Sequence, residues 1–190
     1  MNKSILRKDY LFLRKSLSKS DREIRDSVIE KRLFDEFDFG DIHVLHLFLS
    51  VEKFAEVRTL PIVVKLWRDF PAISTVVPRV NSETSLLEHL KYDRGTNLIE
   101  NRWGILEPAG DGFIAIEKID LVLVPLLAFD LRGFRVGYGK GYYDKFLAKC
   151  RSDCMKIGLS YFPPVEEISD VNDFDIKLDF CITPEKLWKF

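Results

Sequence analysis

The sequence predicts an α/β layered domain in which a mainly parallel sheet is flanked by helices. Three observations predict it. Short apolar runs at 43–49, 72–80, 120–130, 156–160 and 179–183 read as strands. Segments of helical character occur among them, so the two element types alternate. The run DLVLVPLLAFD (120–130) is apolar almost throughout, as a strand covered on both faces must be. The 190 residues hold no internal repeat, low-complexity tract or linker, so a single domain over 1–190 is expected.

The elements follow in order. Residues 2–17 form a helix, because Leu6, Leu13 and Leu17 share a narrow stripe at 100° per residue. Lys3, Arg7 and Arg14 make a second, basic stripe along its edge, with Tyr10 between the two. Ser20 and Glu23 carry the spacing of a capping box for a second helix, whose apolar face includes Ile24, Val28 and Leu33. FDEFDF (34–39) closes that helix with core aromatics. HVLHLFL (43–49) is a buried strand; His43 and His46 point to opposite faces and cannot share a metal. Thr59 is placed to cap a helix running to Phe70, with Pro61 in its first turn. AISTVVPRV (72–80) and LLEHLKY (86–92) are further strands, and the polar stretch from Asn97 to Gly112 reads as turns. DLVLVPLLAFD is one strand, Gly133 opens a loop, YYDKFLAKC (142–150) starts a helix, and KIGLS (156–160) and DFCIT (179–183) return to the sheet.

Composition narrows the function. A net charge of −1 gives no global attraction for nucleic acid or a membrane surface, so any cationic site must be local. The charged N-terminal segment does not read as a signal peptide, and no run approaches the length of a spanning helix. Three cysteines, 150, 154 and 181, suit a reducing compartment, and Cys150 and Cys154 lack the further ligands of a structural zinc site. A cytoplasmic monomer acting on small molecules is expected.

Chemistry concentrates in GYGKGYYD (137–144). In open α/β sheets, ligands collect beyond the carboxyl ends of strands, and this segment follows the strongest strand. Its glycines let the backbone approach a ligand, their amides can cradle phosphate oxygens, and Lys140 adds a full charge. At an effective dielectric of about 20, one charge pair at 4 Å is worth about 4 kcal/mol before desolvation. A single lysine is too little for a triphosphate, which recruits Lys3, Arg7 and Arg135. Two nucleotide motifs are excluded: Gly141 stands where a Walker loop needs Ser or Thr, and Tyr142 where a dinucleotide fingerprint needs its third glycine. A carboxylate beside phosphates needs a bridging cation, so Asp144 implies Mg²⁺ if phosphate binds.

PLLAFDLRGFRVGYGKGYYDKFL (125–147) resembles the signature of the 5-formyltetrahydrofolate cyclo-ligase family. KSILR (3–7), FLS (48–50), EVRT (56–59), PR (78–79), WGILEP (103–108) and DIKLDFCIT (175–183) resemble further family segments in family order. The resemblance implies a fold similar to ribose-phosphate isomerases and CoA transferases. It also implies ATP- and Mg²⁺-dependent cyclisation of 5-formyltetrahydrofolate to 5,10-methenyltetrahydrofolate, with ATP and a reduced folate as the small-molecule partners. By resemblance, Lys140, Arg135 and Arg7 are the catalytic charges. The ATP site would comprise Lys3, Ser4, Ile5, Leu6 and Arg7 with Arg135, Val136, Gly137, Tyr138, Gly139, Lys140, Gly141, Tyr142 and Tyr143. Phe48, Leu49, Val51, Glu56, Trp103 and Tyr142 would meet the folate, and Asp144 the metal, with Asp175 as a second metal ligand. A non-catalytic module of the same fold, binding nucleotide or folate for regulation, is the alternative.

Overall fold

The computed structural model describes residues 1–101 and 104–190. Two helices open the chain, α1 (Lys3–Ser16) and α2 (Lys19–Glu36), followed by β1 (Val44–His46), a 3-10 turn (Glu52–Phe54) and α3 (Leu60–Asp69). Next come β2 (Ser74–Val80), β3 (Leu87–Lys91), β4 (Leu98–Glu100), β5 (Leu106–Pro108), β6 (Leu121–Pro125), β7 (Ala128–Phe129) and β8 (Arg135–Val136). The chain ends with α4 (Tyr142–Leu147), β9 (Met155–Leu159), β10 (Phe180–Ile182) and β11 (Leu187–Lys189).

Seven strands form the main sheet in the order β11-β10-β9-β6-β1-β2-β3. The five central strands run parallel, and β11 and β3 close the edges antiparallel. The expected mainly parallel α/β architecture is therefore present. Its inner strands are apolar on both sides because both sides are covered. Leu121 and Leu123 pack with Ile29, Leu33, Ile62 and Leu66 of α2 and α3, whereas Val122 and Val124 pack with Phe146 and Leu147 of α4. The crossover from β1 to β2 uses α3 on one face, and that from β6 to β9 uses α4 on the other. Two right-handed crossovers heading to opposite sheet edges require this arrangement.

Several element boundaries differ from the sequence reading. The second helix starts earlier, capped by Ser18, whose Oγ accepts from Asp21 N at 3.0 Å; Ser18-x-x-Asp21 repeats the Ser20-x-x-Glu23 spacing two residues upstream. Thr59 does not cap α3 with its side chain, because its hydroxyl donates to Phe48 O at 2.6 Å and so pins the end of the β1 segment. The run 120–130 is two strands. After Pro125 the chain leaves the sheet, and β7 pairs with β8 in a separate hairpin. Two further features went unread: β4 and β5 pair across the stretch assigned to turns, and β11 adds an edge strand.

On the α4 face lies a polar exception. His46 of β1 and His89 of β3 meet with ring centroids 5.2 Å apart, and both pack on Phe146. Among the described residues, no ring nitrogen of either has a hydrogen-bond partner. Burial pushes both imidazoles below their ordinary value, His89 to about 4. His43, by contrast, precedes β1 and is exposed.

Two stability predictions follow from this core. The unfolded chain binds a proton on each histidine near pH 6.5 while the fold refuses it, so stability should fall as pH drops from about 6.5 toward about 4. The slope is about 1.4 kcal/mol per pH unit for each histidine. Urea unfolding across that window should show the loss, and His89→Leu should remove its own share and leave that of His46; an unchanged slope would refute the assignment. In the β7–β8 turn, Gly133 has φ +89°, and a Cβ there would lie 2.7 Å from Phe190 Cγ. Gly133→Ala is therefore expected to lower stability by about 2 kcal/mol, read as a lower urea midpoint.

Candidate functional site

β1 has β2 on one side and β6 on the other, so the chain reverses direction across the sheet between β1 and β6. A crevice must open at the carboxyl ends of these strands. It is a cleft of about 1200 Å³. Phe48 and Leu49 after β1, Pro78 on β2 and Pro125 at the end of β6 contribute apolar surface. The first turns of α1, residues 135–144 and the segment 172–176 contribute the charged wall.

The glycine segment is positioned by the β7–β8 hairpin. Asp130 is fully buried and organises that hairpin, accepting from Arg132 N and Phe134 N at 3.0 Å each, from Ile168 N at 3.1 Å and from the Arg132 guanidinium. Its role is structural. The hairpin returns Arg135 under the cleft wall, where Nη2 donates to Asp144 Oδ1 at 2.8 Å and Nη1 to Ile176 O. Burial lowers the guanidinium's affinity for its proton and the Asp144 charge restores part of it.

Helix α1 docks against this hairpin. Asn2 caps it by accepting from Ile5 N at 2.9 Å, and Leu6 is fully buried against Ala128, Val136 and Ile168. The helical period then aims Lys3 and Arg7, one turn apart, into the cleft. Lys3 Nζ donates to both oxygens of Asp175 at 2.6 and 2.5 Å. Arg7 Nε donates to Gly137 O at 2.9 Å across 130 residues of sequence, and its guanidinium lies over Gly139. Ser4 and Ile5 face solvent and Leu6 faces the core, so these three expected contacts do not line the cleft. A contiguous motif on a helix can present only one face. Lys140 projects exposed at the rim and, among the described residues, makes no hydrogen bond or ion pair.

The acidic groups divide by partner. Glu56 is 5% exposed; Oε2 accepts from Val51 N at 2.8 Å and Oε1 from the Tyr138 hydroxyl at 2.6 Å. Burial pushes its carboxyl up, opposed by the Tyr138 and Val51 bonds and by Arg14. Asp144 Oδ1 accepts from Arg135 and from Ile176 N, whereas Oδ2 accepts no hydrogen bond among the described residues. Both oxygens of Asp175 are engaged by Lys3, and Oδ2 also accepts from Asn172 N at 2.7 Å. Asp175 thus serves an ammonium here rather than presenting an open ligand for a metal. Among the described residues no cluster of three or more metal-binding side chains exists.

Val51 and Tyr142 line the cleft as well. Tyr143 lines it with a buried hydroxyl that has no hydrogen-bond partner among the described residues; burial and the neighbouring Glu56 charge push its phenol up. Trp103 lies outside the described residues. The sequence reading missed Arg14 as a site residue. It is buried, with Nε donating to Phe54 O at 2.8 Å, Nη1 to Leu126 O at 3.1 Å and Nη2 to the Tyr138 hydroxyl. Its place on the basic stripe of α1 was the available signal.

Comparison with known proteins places this geometry. The chain matches the 5-formyltetrahydrofolate cyclo-ligase family over residues 1–184. It is 31% identical over 151 residues to the 5-formyltetrahydrofolate cyclo-ligase of Escherichia coli, covering 78% of this chain and 81% of the relative. The Mycoplasma pneumoniae enzyme of the same name is 26% identical over 189 residues, 97% of this chain and all of the relative. Among solved structures, the 5,10-methenyltetrahydrofolate synthetase of Aquifex aeolicus superposes with a TM-score of 0.83 at 27% identity, covering all of this chain and 93% of the other. The synthetase from Mycoplasma pneumoniae superposes with a TM-score of 0.76 at 27% identity, covering 96% and 98%. With the family match over residues 1–184 and the fold of the solved structures in agreement, the chain belongs to the 5-formyltetrahydrofolate cyclo-ligase family.

Proposed function

We propose that this chain converts 5-formyltetrahydrofolate and ATP to 5,10-methenyltetrahydrofolate, ADP and phosphate. The observation that carries the proposal is the convergence of Lys3 and Arg7 with residues 135–144 on one cleft that also holds Phe48, Leu49 and Glu56. One wall thus offers cations and glycine amides suited to a polyphosphate. The other offers apolar surface and a buried carboxylate suited to a pterin, whose amino and ring N–H groups would donate to Glu56.

The chemistry then needs positioning more than covalent help. The formyl oxygen attacks the γ-phosphorus, the bond to the ADP oxygen breaks, and an iminophosphate forms. N10 attacks the formyl carbon and loses its proton, and the C–O bond breaks with release of phosphate. Lys140 at the rim would follow the transferring phosphoryl group, while Arg7 and Arg135 balance charge on the polyphosphate from fixed positions. Gly137, Gly139 and Gly141 would donate backbone amides, and Tyr142 would border the folate.

Mg²⁺ fits the residues present. Such ions are held by one or two carboxylates together with substrate phosphates, and Asp144 offers at the cleft wall an Oδ2 without a partner among the described residues. Bound there, the ion would neutralise phosphate charge. Asp175 is left to orient Lys3.

The assay is the absorbance of the methenyl product on mixing protein, 5-formyltetrahydrofolate and Mg·ATP. An ATP-dependent rise is expected, abolished by EDTA and restored by Mg²⁺. Binding of both ligands without product would instead support the regulatory module. Lys140→Ala should retain the wild-type melting temperature and lose about a hundredfold in kcat; unchanged turnover would remove Lys140 from the mechanism.

A further inference from the structure

Tyr138 sits between Gly137 and Gly139, so any movement of the glycine segment carries it along. Its ring packs on Phe54 with centroids 4.9 Å apart, and its hydroxyl donates to Glu56 Oε1 at 2.6 Å. The Tyr138 hydroxyl oxygen in turn accepts from Arg14 Nη2, and the Arg14 guanidinium lies 5.8 Å from the ring centroid. Arg14 is fixed in turn by the carbonyls of Phe54 and Leu126, one after β1 and one after β6. A hydroxyl that donates to a carboxylate and accepts from a guanidinium has its orientation determined. The chain Arg14–Tyr138–Glu56 therefore spans the cleft and joins its phosphate-binding wall to its pterin-binding wall.

Resting on the cyclo-ligase reading, we infer that Tyr138, held by Arg14, is a positioning residue that couples the two halves of the site, so that each ligand tightens the other. With the Tyr138–Glu56 bond made, Gly137, Gly139 and Gly141 line the cleft. A pterin donating to Glu56 fixes that carboxylate, and the fixed carboxylate holds Tyr138 and its flanking glycines. Phosphates on the glycine amides fix Tyr138, and through it Glu56. The carboxylate has lone pairs enough to accept from both Tyr138 and a pterin N–H. A bond to a charged acceptor supplies a bias of about tenfold, within the usual range for coupled sites.

The test is calorimetry of 5-formyltetrahydrofolate with and without a non-hydrolysable ATP analogue and Mg²⁺, and the reciprocal titration. The wild-type chain should show mutual tightening of about tenfold, equal in both directions as linkage demands. Tyr138→Phe keeps the ring on Phe54 and removes only the hydroxyl, and should bring the factor close to one. Arg14→Lys keeps the charge but not the fork, and should lower the factor as well. A merely structural role would reduce the melting temperature and both affinities while leaving the factor intact, and that result overturns the inference. So does a wild-type chain that binds both ligands and turns over with no mutual tightening. A wild-type chain that binds neither ligand and forms no product overturns the cyclo-ligase reading itself.

Discussion

A guanidinium withdrawn from water keeps its charge and must find acceptors for its donors, since leaving them unpaired costs several kcal/mol. This protein withdraws two at the carboxyl ends of its strands, Arg14 at 4% exposure and Arg135 at 7%. Arg14 gathers the 3-10 turn after β1, the link after β6 and the glycine segment. Arg135 gathers Asp144 on α4 and the carbonyl of Ile176. Segments that would otherwise be independent loops are thereby held in one arrangement around two fixed ions. The cations that reach into the cleft depend on this frame. Arg7 bonds the glycine segment that Arg14 and Arg135 hold in place, and Lys3 bonds Asp175, one residue before Ile176.

The frame stands where the sheet provides space. A parallel sheet with helices on both faces leaves only the strand ends open, and the crossovers in opposite directions from the middle of the sheet part the loops there. The resulting cleft, about 1200 Å³, exceeds the volume usual for one small ligand and suits two meeting end to end. Its chemistry changes from one side to the other. Phe48, Leu49 and Pro78 offer little but dispersion and desolvation, whereas Lys3, Arg7 and Arg135 offer charge already balanced by Asp144, Asp175 and a carbonyl. Such balance keeps the charged wall from repelling itself.

The legible parts of the sequence were those governed by local period or by an unbroken motif. The five-stranded parallel core was visible because burial on both faces leaves continuous apolar runs. Lys3 and Arg7 were visible because a spacing of four on a helix shares a face. The same helix turns the side chains of Ser4 and Ile5 away from the cleft; a motif read as a string ignores the direction in which each side chain points. The two-residue strands β7 and β8 and the three-residue strands β4, β5 and β11 are too short to show alternation, so the run 120–130 read as one strand and 97–112 as turns. The Tyr138–Glu56 bond spans 82 residues and the Arg14–Tyr138 bond 124. Nothing in either neighbourhood signals the other, and an arginine's burial is decided by partners that only the fold assembles.

The glycine segment shows why its sequence departs from the familiar nucleotide loops. Gly139 has φ +90°, and a Cβ built on it would lie 3.1 Å from Arg7 Cζ and 3.2 Å from Nη2. Glycine is thus required there twice, once for the backbone angle and once because a guanidinium from α1 rests on that backbone. A Walker loop keeps its cation and its metal-binding hydroxyl side by side within one strand-to-helix turn. In this chain, on the reading proposed above, those duties are spread over four places: Lys140 within the loop, Arg7 above it, Arg135 beneath it, and Asp144 in the helix that follows. Spreading them frees position 138 for a tyrosine that reaches Glu56. A loop whose charge comes from elsewhere can use its own side chain to contact the second half of the site.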